Sequence, residues 1–74
     1  ASFGARDAGR VITEIAKLTE LPMGWPDVIK HVPDADLLTP ESRNYVKRQL
    51  DRRHGLYIHV NRDGHWQTLE RKSL

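Results

Sequence analysis

The hydrophobic period of this 74-residue sequence changes once, near Gly55, and that change constrains the fold more than any other feature. Before Gly55, apolar residues recur at the spacing of helices with one buried face. After it, Leu56, Ile58 and Val60 alternate with Tyr57 and His59, which is the pattern of a half-buried strand. We therefore predict an α+β fold in which a three-helix core is followed by a C-terminal β-hairpin.

The first two helices are predicted near residues 7–19 and 26–32. Asp7 is the expected N-cap of the first, because its carboxylate can accept from the free N–H groups of the first turn. Pro26 suits the first position of the second helix, where its missing N–H costs nothing. The linker that follows, 33–38, is expected to place Leu37 and Leu38 in the core.

The third helix has the clearest boundaries in the chain. Thr39-Pro40-Glu41 provides an N-cap hydroxyl, a proline at the first helical position and an acid in the first turn. The helix should run over 40–53, with Gly55 as its C-terminal stop. Its apolar stripe is narrow and rests on Val46 and Leu50, so most of its surface is polar.

A hairpin over about 56–70 is predicted from Asp63-Gly64, a strong signal for a two-residue type I′ turn with positive φ at both positions. Residues 71–74 are expected to fray. The expected cross-strand pairs are Ile58 with Leu69, Val60 with Gln67, and Asn61 with Trp66.

The sequence is interpreted as one small domain, residues 1–74 with an ordered core near 7–70. The start at Ala1 rather than Met suggests a processed product or a domain cut from a longer chain. Without cysteine, a disulfide framework and a thiolate zinc site are excluded. No apolar run suits a membrane span or a signal peptide, so an intracellular location is expected. The predicted core comprises Val11, Ile12, Ile15, Trp25, Ile29, Val32, Leu38, Val46 and Leu50.

Charge is distributed unevenly along the chain, whose formal net charge is +2. Residues 1–38 carry four bases and six acids, whereas residues 39–74 carry eight bases and four acids. This asymmetry favours an anionic partner on the C-terminal side, with an ordinary solvated surface as the alternative.

The order of helix, helix, basic helix and hairpin resembles the winged helix-turn-helix superfamily of DNA-binding domains. The resemblance covers Asp7 to Glu70, although the 33–38 linker is longer than the turn of a strict helix-turn-helix. Its most specific segments are Leu38-Thr39-Pro40-Glu41, Arg53-His54-Gly55-Leu56 and Asp63-Gly64-His65-Trp66.

Membership of that superfamily implies binding to duplex DNA in transcription regulation. The third helix would enter the major groove, and the hairpin "wing" would touch the backbone or the minor groove. The residues this implies as nucleic-acid contacts are Arg43, Asn44, Lys47, Arg48 and Arg52 on the helix, and Arg62 and His65 on the wing.

Two other functions stay open at the level of sequence. One is a protein-interaction module anchored by Trp66 or Tyr57, since exposed aromatic residues often dominate interfaces. The other is a small ribonuclease with Tyr57, His59 and Thr68 facing outward together. Trp25 is expected in the core, whereas Trp66 either covers the hairpin or stands exposed. No metal-ligand spacing and no glycine-rich phosphate loop is present, so no metal or cofactor is expected.

Overall fold

The computed structural model describes residues 5–72, which form three α-helices, a short 3-10 helix and an antiparallel sheet of three strands. The predicted α+β class, with a helical core followed by a hairpin, is confirmed. The elements in chain order are α1 (Ala5–Ala16), β1 (Met23–Gly24), α2 (Trp25–His31), the 3-10 helix (Pro33–Leu37), α3 (Pro40–His54), β2 (Leu56–Val60) and β3 (Trp66–Arg71).

Both predicted ends of α3 are confirmed. The Thr39 hydroxyl accepts a hydrogen bond from the Ser42 N–H at 3.2 Å, and Pro40 occupies the first turn. Gly55 ends the helix in the left-handed conformation at φ 64°, and its N–H donates to the Asp51 carbonyl at 3.2 Å. The helix is therefore fixed by local sequence at each end.

The start of α1 differs from the prediction. The helix begins at Ala5 and ends at Ala16, so Asp7 lies within its first turn and is not the N-cap. An acid in the first turn still opposes the positive end of the helix dipole. The predicted C-terminal extension to residue 19 is also wrong.

The segment between α2 and α3 contains a 3-10 helix over Pro33–Leu37, which the sequence did not indicate. Leu38 is buried as predicted, but Leu37 is 61% exposed and does not plug the core. Leu37 is the last residue of the 3-10 helix, whereas Leu38 follows it with extended backbone at φ −66° and ψ 131°, so the two neighbouring side chains point in different directions.

The core is one cluster to which all three helices and the hairpin contribute. Trp25 is buried as predicted, with 6% of its surface exposed. Ile29 is the exception among the predicted core residues, because it is half-buried and packs against the cluster. The cluster comprises Ala8, Val11, Ile12, Ile15, Trp25, Val28, Val32, Ala35, Leu38, Val46, Leu50, Leu56, Ile58 and Leu69.

The hairpin turn is not the predicted type I′ turn. Only Gly64 has positive φ, at 84°, and Asp63 does not. The Gly64 N–H donates to the Asn61 carbonyl at 3.0 Å, and the Asn61 N–H donates to the His65 carbonyl at 2.9 Å. The Asn61 side chain also accepts from the N–H groups of Asp63 and His65, each at 2.9 Å, which supports this wider turn.

The wider turn changes the strand register near its tip. Ile58 lies opposite Leu69 as predicted, but an irregularity follows His59, and Val60 then lies opposite Trp66 rather than Gln67. The predicted pairing of Asn61 with Trp66 is also wrong, because Asn61 bonds to His65.

The far end of the hairpin is more ordered than predicted. Arg71 is the last residue of β3 and lies opposite Leu56, and the Lys72 N–H donates to the Gly55 carbonyl at 2.8 Å. Ser73 and Leu74, the rest of the segment expected to fray, lie outside the described residues.

The two-residue strand β1 was not predicted, and it attaches the hairpin to the helices. Met23 lies opposite Leu69 and Gly24 opposite Thr68, so β3 is the central strand of the sheet. Because Trp25 follows β1 directly, this pairing brings the start of α2 against the hairpin.

Candidate nucleic-acid interface

The third helix presents its polar side beside the hairpin. Val46 and Leu50 are fully buried and fix the opposite side of α3 against the core. We define the α3–hairpin surface by the seven predicted contact residues, Arg43, Asn44, Lys47, Arg48, Arg52, Arg62 and His65. Asn44, Arg48, Arg52, Arg62 and His65 are exposed, whereas Arg43 and Lys47 are half-buried.

A groove of about 440 Å³ separates the N-terminal half of α3 from the hairpin. Arg43 and Asn44 line it from the helix, and Gly64 and Trp66 line it from the hairpin. Leu38 and Pro40 complete the lining. The predicted helix residues and the hairpin thus face each other across one depression.

A second groove, of about 310 Å³, lies between α3 and β2. Asn44, Lys47, Arg48 and Asp51 line it from the helix, and Tyr57 and Ile58 line it from β2. Asn44 belongs to both grooves, so four of the seven predicted residues are brought together along α3. Arg52, Arg62 and His65 line neither groove, and the two turn residues are carried by the hairpin alone.

Three planar side chains connect this surface to the core. The Cζ atom of Arg43 lies over the ring of Trp66, 5.5 Å from its centroid. Trp66 is half-buried and packs edge to face on Trp25, with centroids 4.8 Å apart. Sequence reasoning placed Arg43 on the surface but missed its contact with Trp66, because that contact depends on the register of the hairpin.

Two groups of bases in the molecule differ in their ion pairing. The first group comprises the four bases of the N-terminal half, of which Arg6 has no carboxylate partner within residues 5–72 and the other three are each paired with a carboxylate. These pairs are Arg10 with Asp34 at 2.5 Å, Lys17 with Glu14 at 3.7 Å, and Lys30 with Asp27 at 3.7 Å.

The second group is the α3–hairpin surface itself. Within residues 5–72, its five bases have no carboxylate oxygen within salt-bridge distance. Asp51, one helical turn after Lys47, pairs instead with Lys72. The positive charge of this surface is therefore free to meet an anionic partner.

The outer face of the sheet carries a second polar cluster. The rings of Tyr57 and His59 meet edge to face with centroids 4.8 Å apart, and Thr68 lies opposite His59. These three residues share a face, as the ribonuclease hypothesis required. His59 Nε2 lies 2.7 Å from a carboxylate oxygen of Glu70, a partner that sequence reasoning missed. Neither groove is lined by His59 or Glu70, so this pair stands on open surface.

Neither a cluster of metal ligands nor a membrane-spanning helix occurs in the part of the chain that the structure describes. No three histidine, aspartate or glutamate side chains among residues 5–72 are grouped so as to hold a metal ion. No helix in that range has the length and apolarity to cross a bilayer.

Comparison with known proteins identifies no relative. No family model, curated protein or solved structure matches this chain. The function of this chain is therefore inferred from its own residues and contacts.

Proposed function

We propose that this protein binds double-stranded DNA through the α3–hairpin surface. The observation that carries the proposal is the contrast in ion pairing. Three of the four bases among residues 5–38 are matched to carboxylates, whereas the five bases of the α3–hairpin surface are matched to none within residues 5–72. Unmatched cations on one side of a small domain suit a polyanion, whose condensed counterions they would displace.

The shape of this side also suits duplex DNA. An α-helix fits the major groove, which is about 12 Å wide, and Arg and Asn are suited to bidentate bonds with guanine and adenine. Arg43, Asn44, Lys47 and Arg48 lie along one side of α3, while Arg62 lies on a separate turn. Two elements could therefore contact the DNA together, one reading bases and the other holding phosphates.

The topology supports the proposal through its resemblance to winged helix domains. Helices α1 to α3 precede a hairpin that packs beside the basic helix, and β1 joins the hairpin as a third strand. Asp51 lines the groove between α3 and β2 and pairs with Lys72, while Glu41 and Asp63 are exposed on α3 and in the hairpin turn. The five bases of the surface outnumber these three carboxylates.

The proposal is tested by replacing Arg43, Lys47 and Arg48 together with Gln. Glutamine is a good helix former and leaves the buried side of α3 unchanged, so the variant should fold. Its affinity for a random-sequence duplex, measured by fluorescence anisotropy at low salt, should fall by about tenfold or more through the lost phosphate contacts.

The matched control replaces Arg6, Lys17 and Lys30 with Gln, which removes the same charge from exposed positions on α1, just after α1 and on α2. The control should change affinity by less than about threefold, because only distant, screened charge is lost. If both variants lose duplex affinity equally, the attraction comes from diffuse charge and not from contacts of the α3–hairpin surface. No duplex binding by the wild type at low salt would overturn the proposal.

A protein-binding role is the alternative, and the position of Tyr57 favours it. This side chain is 39% exposed and lines the groove between α3 and β2. An aromatic anchor in a groove is typical of interface hot spots. Binding of that kind should depend weakly on salt and be lost in Tyr57→Ala, whereas DNA binding should weaken steeply with salt.

A further inference from the structure

Arg43 differs from the other bases of the α3–hairpin surface because an aromatic ring holds it. Its Cζ atom lies 5.5 Å from the centroid of the Trp66 ring, within the range of a cation–π contact. No ring contact of this kind involves Lys47, Arg48 or Arg52 within residues 5–72. Arg43 is also half-buried, whereas Arg48 and Arg52 are exposed.

Trp66 is itself held in place by the core. It meets Trp25 edge to face at 4.8 Å and 75°, and Trp25 is buried at the start of α2. Its strand position, opposite Val60, is set by the irregularity that follows His59. The Arg43 guanidinium therefore rests on a ring that is fixed from two sides, and much of its side-chain freedom is restricted before any ligand binds.

The contact leaves the donors of Arg43 available. Within residues 5–72, no hydrogen bond or ion pair engages the N–H groups of the Arg43 guanidinium, so its planar fork of donors can meet a ligand. Arg43 also lines the groove between α3 and the hairpin, alongside Asn44 and Gly64. A planar fork held at the wall of a groove matches the O6 and N7 acceptors that guanine presents in the major groove.

We propose that Arg43 is a specificity-determining residue that reads one guanine, and that Trp66 is the positioning residue that orients it. The inference rests on the proposed binding of duplex DNA. It adds a preference for guanine at one position and names the residue that determines this preference. The other cationic residues of the surface, Lys47, Arg48, Arg52 and Arg62, then supply affinity without selecting sequence.

The test is selection of binding sites from a random duplex library with the full 74-residue chain, followed by affinity measurements on the selected site and its single-base variants. The wild type should prefer guanine at one position by about tenfold or more. Arg43→Lys, which keeps the charge but loses the planar fork, and Trp66→Leu, which removes the ring, should both lose this preference. In both variants the affinity for the selected site should fall towards that for random duplex, because the charge that meets the phosphates is kept while the reading of guanine is lost.

Two further variants control for charge and for packing. Trp66→Phe keeps a ring beneath Arg43 and should retain the guanine preference. Arg53→Lys alters an exposed arginine on the same helix, outside the α3–hairpin surface, and should also retain it. If Trp66→Leu fails to fold, the Arg43 Nε–Hε resonance of the wild type decides, since a ring-current shift absent from Arg48 is expected.

Several results would overturn the inference. One is a guanine preference that survives Arg43→Lys or Trp66→Leu. Another is an Arg43 Nε–Hε resonance without a ring-current shift. A third is a Trp66→Leu variant that loses affinity equally for every duplex. Duplex binding by the wild type without any sequence preference would overturn the inference and leave the proposed function standing. Absence of duplex binding by the wild type would overturn both the inference and the proposed function.

Discussion

The indole rings of Trp25 and Trp66 pack edge to face, with centroids 4.8 Å apart and 75° between their planes. The first ring belongs to α2 and the second to β3, so the contact joins the helical core to the hairpin. Such pairs contribute about 0.5–1.5 kcal/mol beyond the burial of their area. The position of the hairpin beside α3 therefore depends on a residue of α2.

The first prediction concerns the buried member of this pair. Trp25→Ala should lower the free energy of unfolding by about 3–5 kcal/mol, because it leaves a large cavity and removes the support of Trp66. That loss approaches the whole stability of so small a domain. Urea unfolding followed by circular dichroism measures it. Tyr45→Ala, at a position 45% exposed on α3, is the control and should change stability by less than about 1 kcal/mol.

The second prediction compares three glycines at which an added Cβ would meet no atom within 4 Å. Gly55 and Gly64 have φ of 64° and 84°, so Ala at either position should destabilise the fold by about 1–2 kcal/mol. Gly9 lies inside α1, where Ala should instead stabilise by about 0.5–1 kcal/mol. Melting temperatures should therefore move in opposite directions. A lower melting temperature for Gly9→Ala would contradict the description of α1.

The third prediction concerns the Arg10–Asp34 ion pair, which links α1 to the 3-10 helix at 2.5 Å. Both side chains are partly exposed, at 57% and 36%, so solvent screens their attraction. A double-mutant cycle with Arg10→Gln and Asp34→Asn should give a coupling free energy below about 1 kcal/mol. The coupling should shrink further in high salt. A salt-independent coupling of several kcal/mol would indicate a desolvated pair instead.

The features that sequence predicted well are those specified by neighbouring residues. Thr39, Pro40 and Gly55 define α3 because a cap hydroxyl, a proline and a left-handed glycine each act within one helical turn. The register at Ile58 and Leu69 followed from the alternation of apolar residues. The basic character of the α3–hairpin surface could be predicted in the same way. The apolar stripe of α3 is narrow, so its arginine and lysine side chains lie outside the core.

The features that sequence missed depend on residues far apart in the chain. Strand β1 has only two residues, too few to show a period, and exists through its pairing with β3. The turn type depends on the side chain of Asn61, which accepts two backbone N–H groups and allows Asp63 an ordinary φ. The contact of Arg43 with Trp66 needs both the helix and the irregular register of the hairpin.

The fourth prediction addresses the hairpin turn, whose contribution to binding is separable from that of α3. Arg62 is exposed in this turn and has no carboxylate partner within residues 5–72. If it holds one phosphate, Arg62→Gln should lower affinity for all duplexes alike and reduce the slope of log affinity against log salt by about 1. Binding isotherms at four or more salt concentrations measure that slope. Lys30→Gln removes the same charge from α2 and should leave the slope unchanged. An unchanged slope for Arg62→Gln would limit the DNA contact to α3, because a residue that displaces no counterion touches no phosphate.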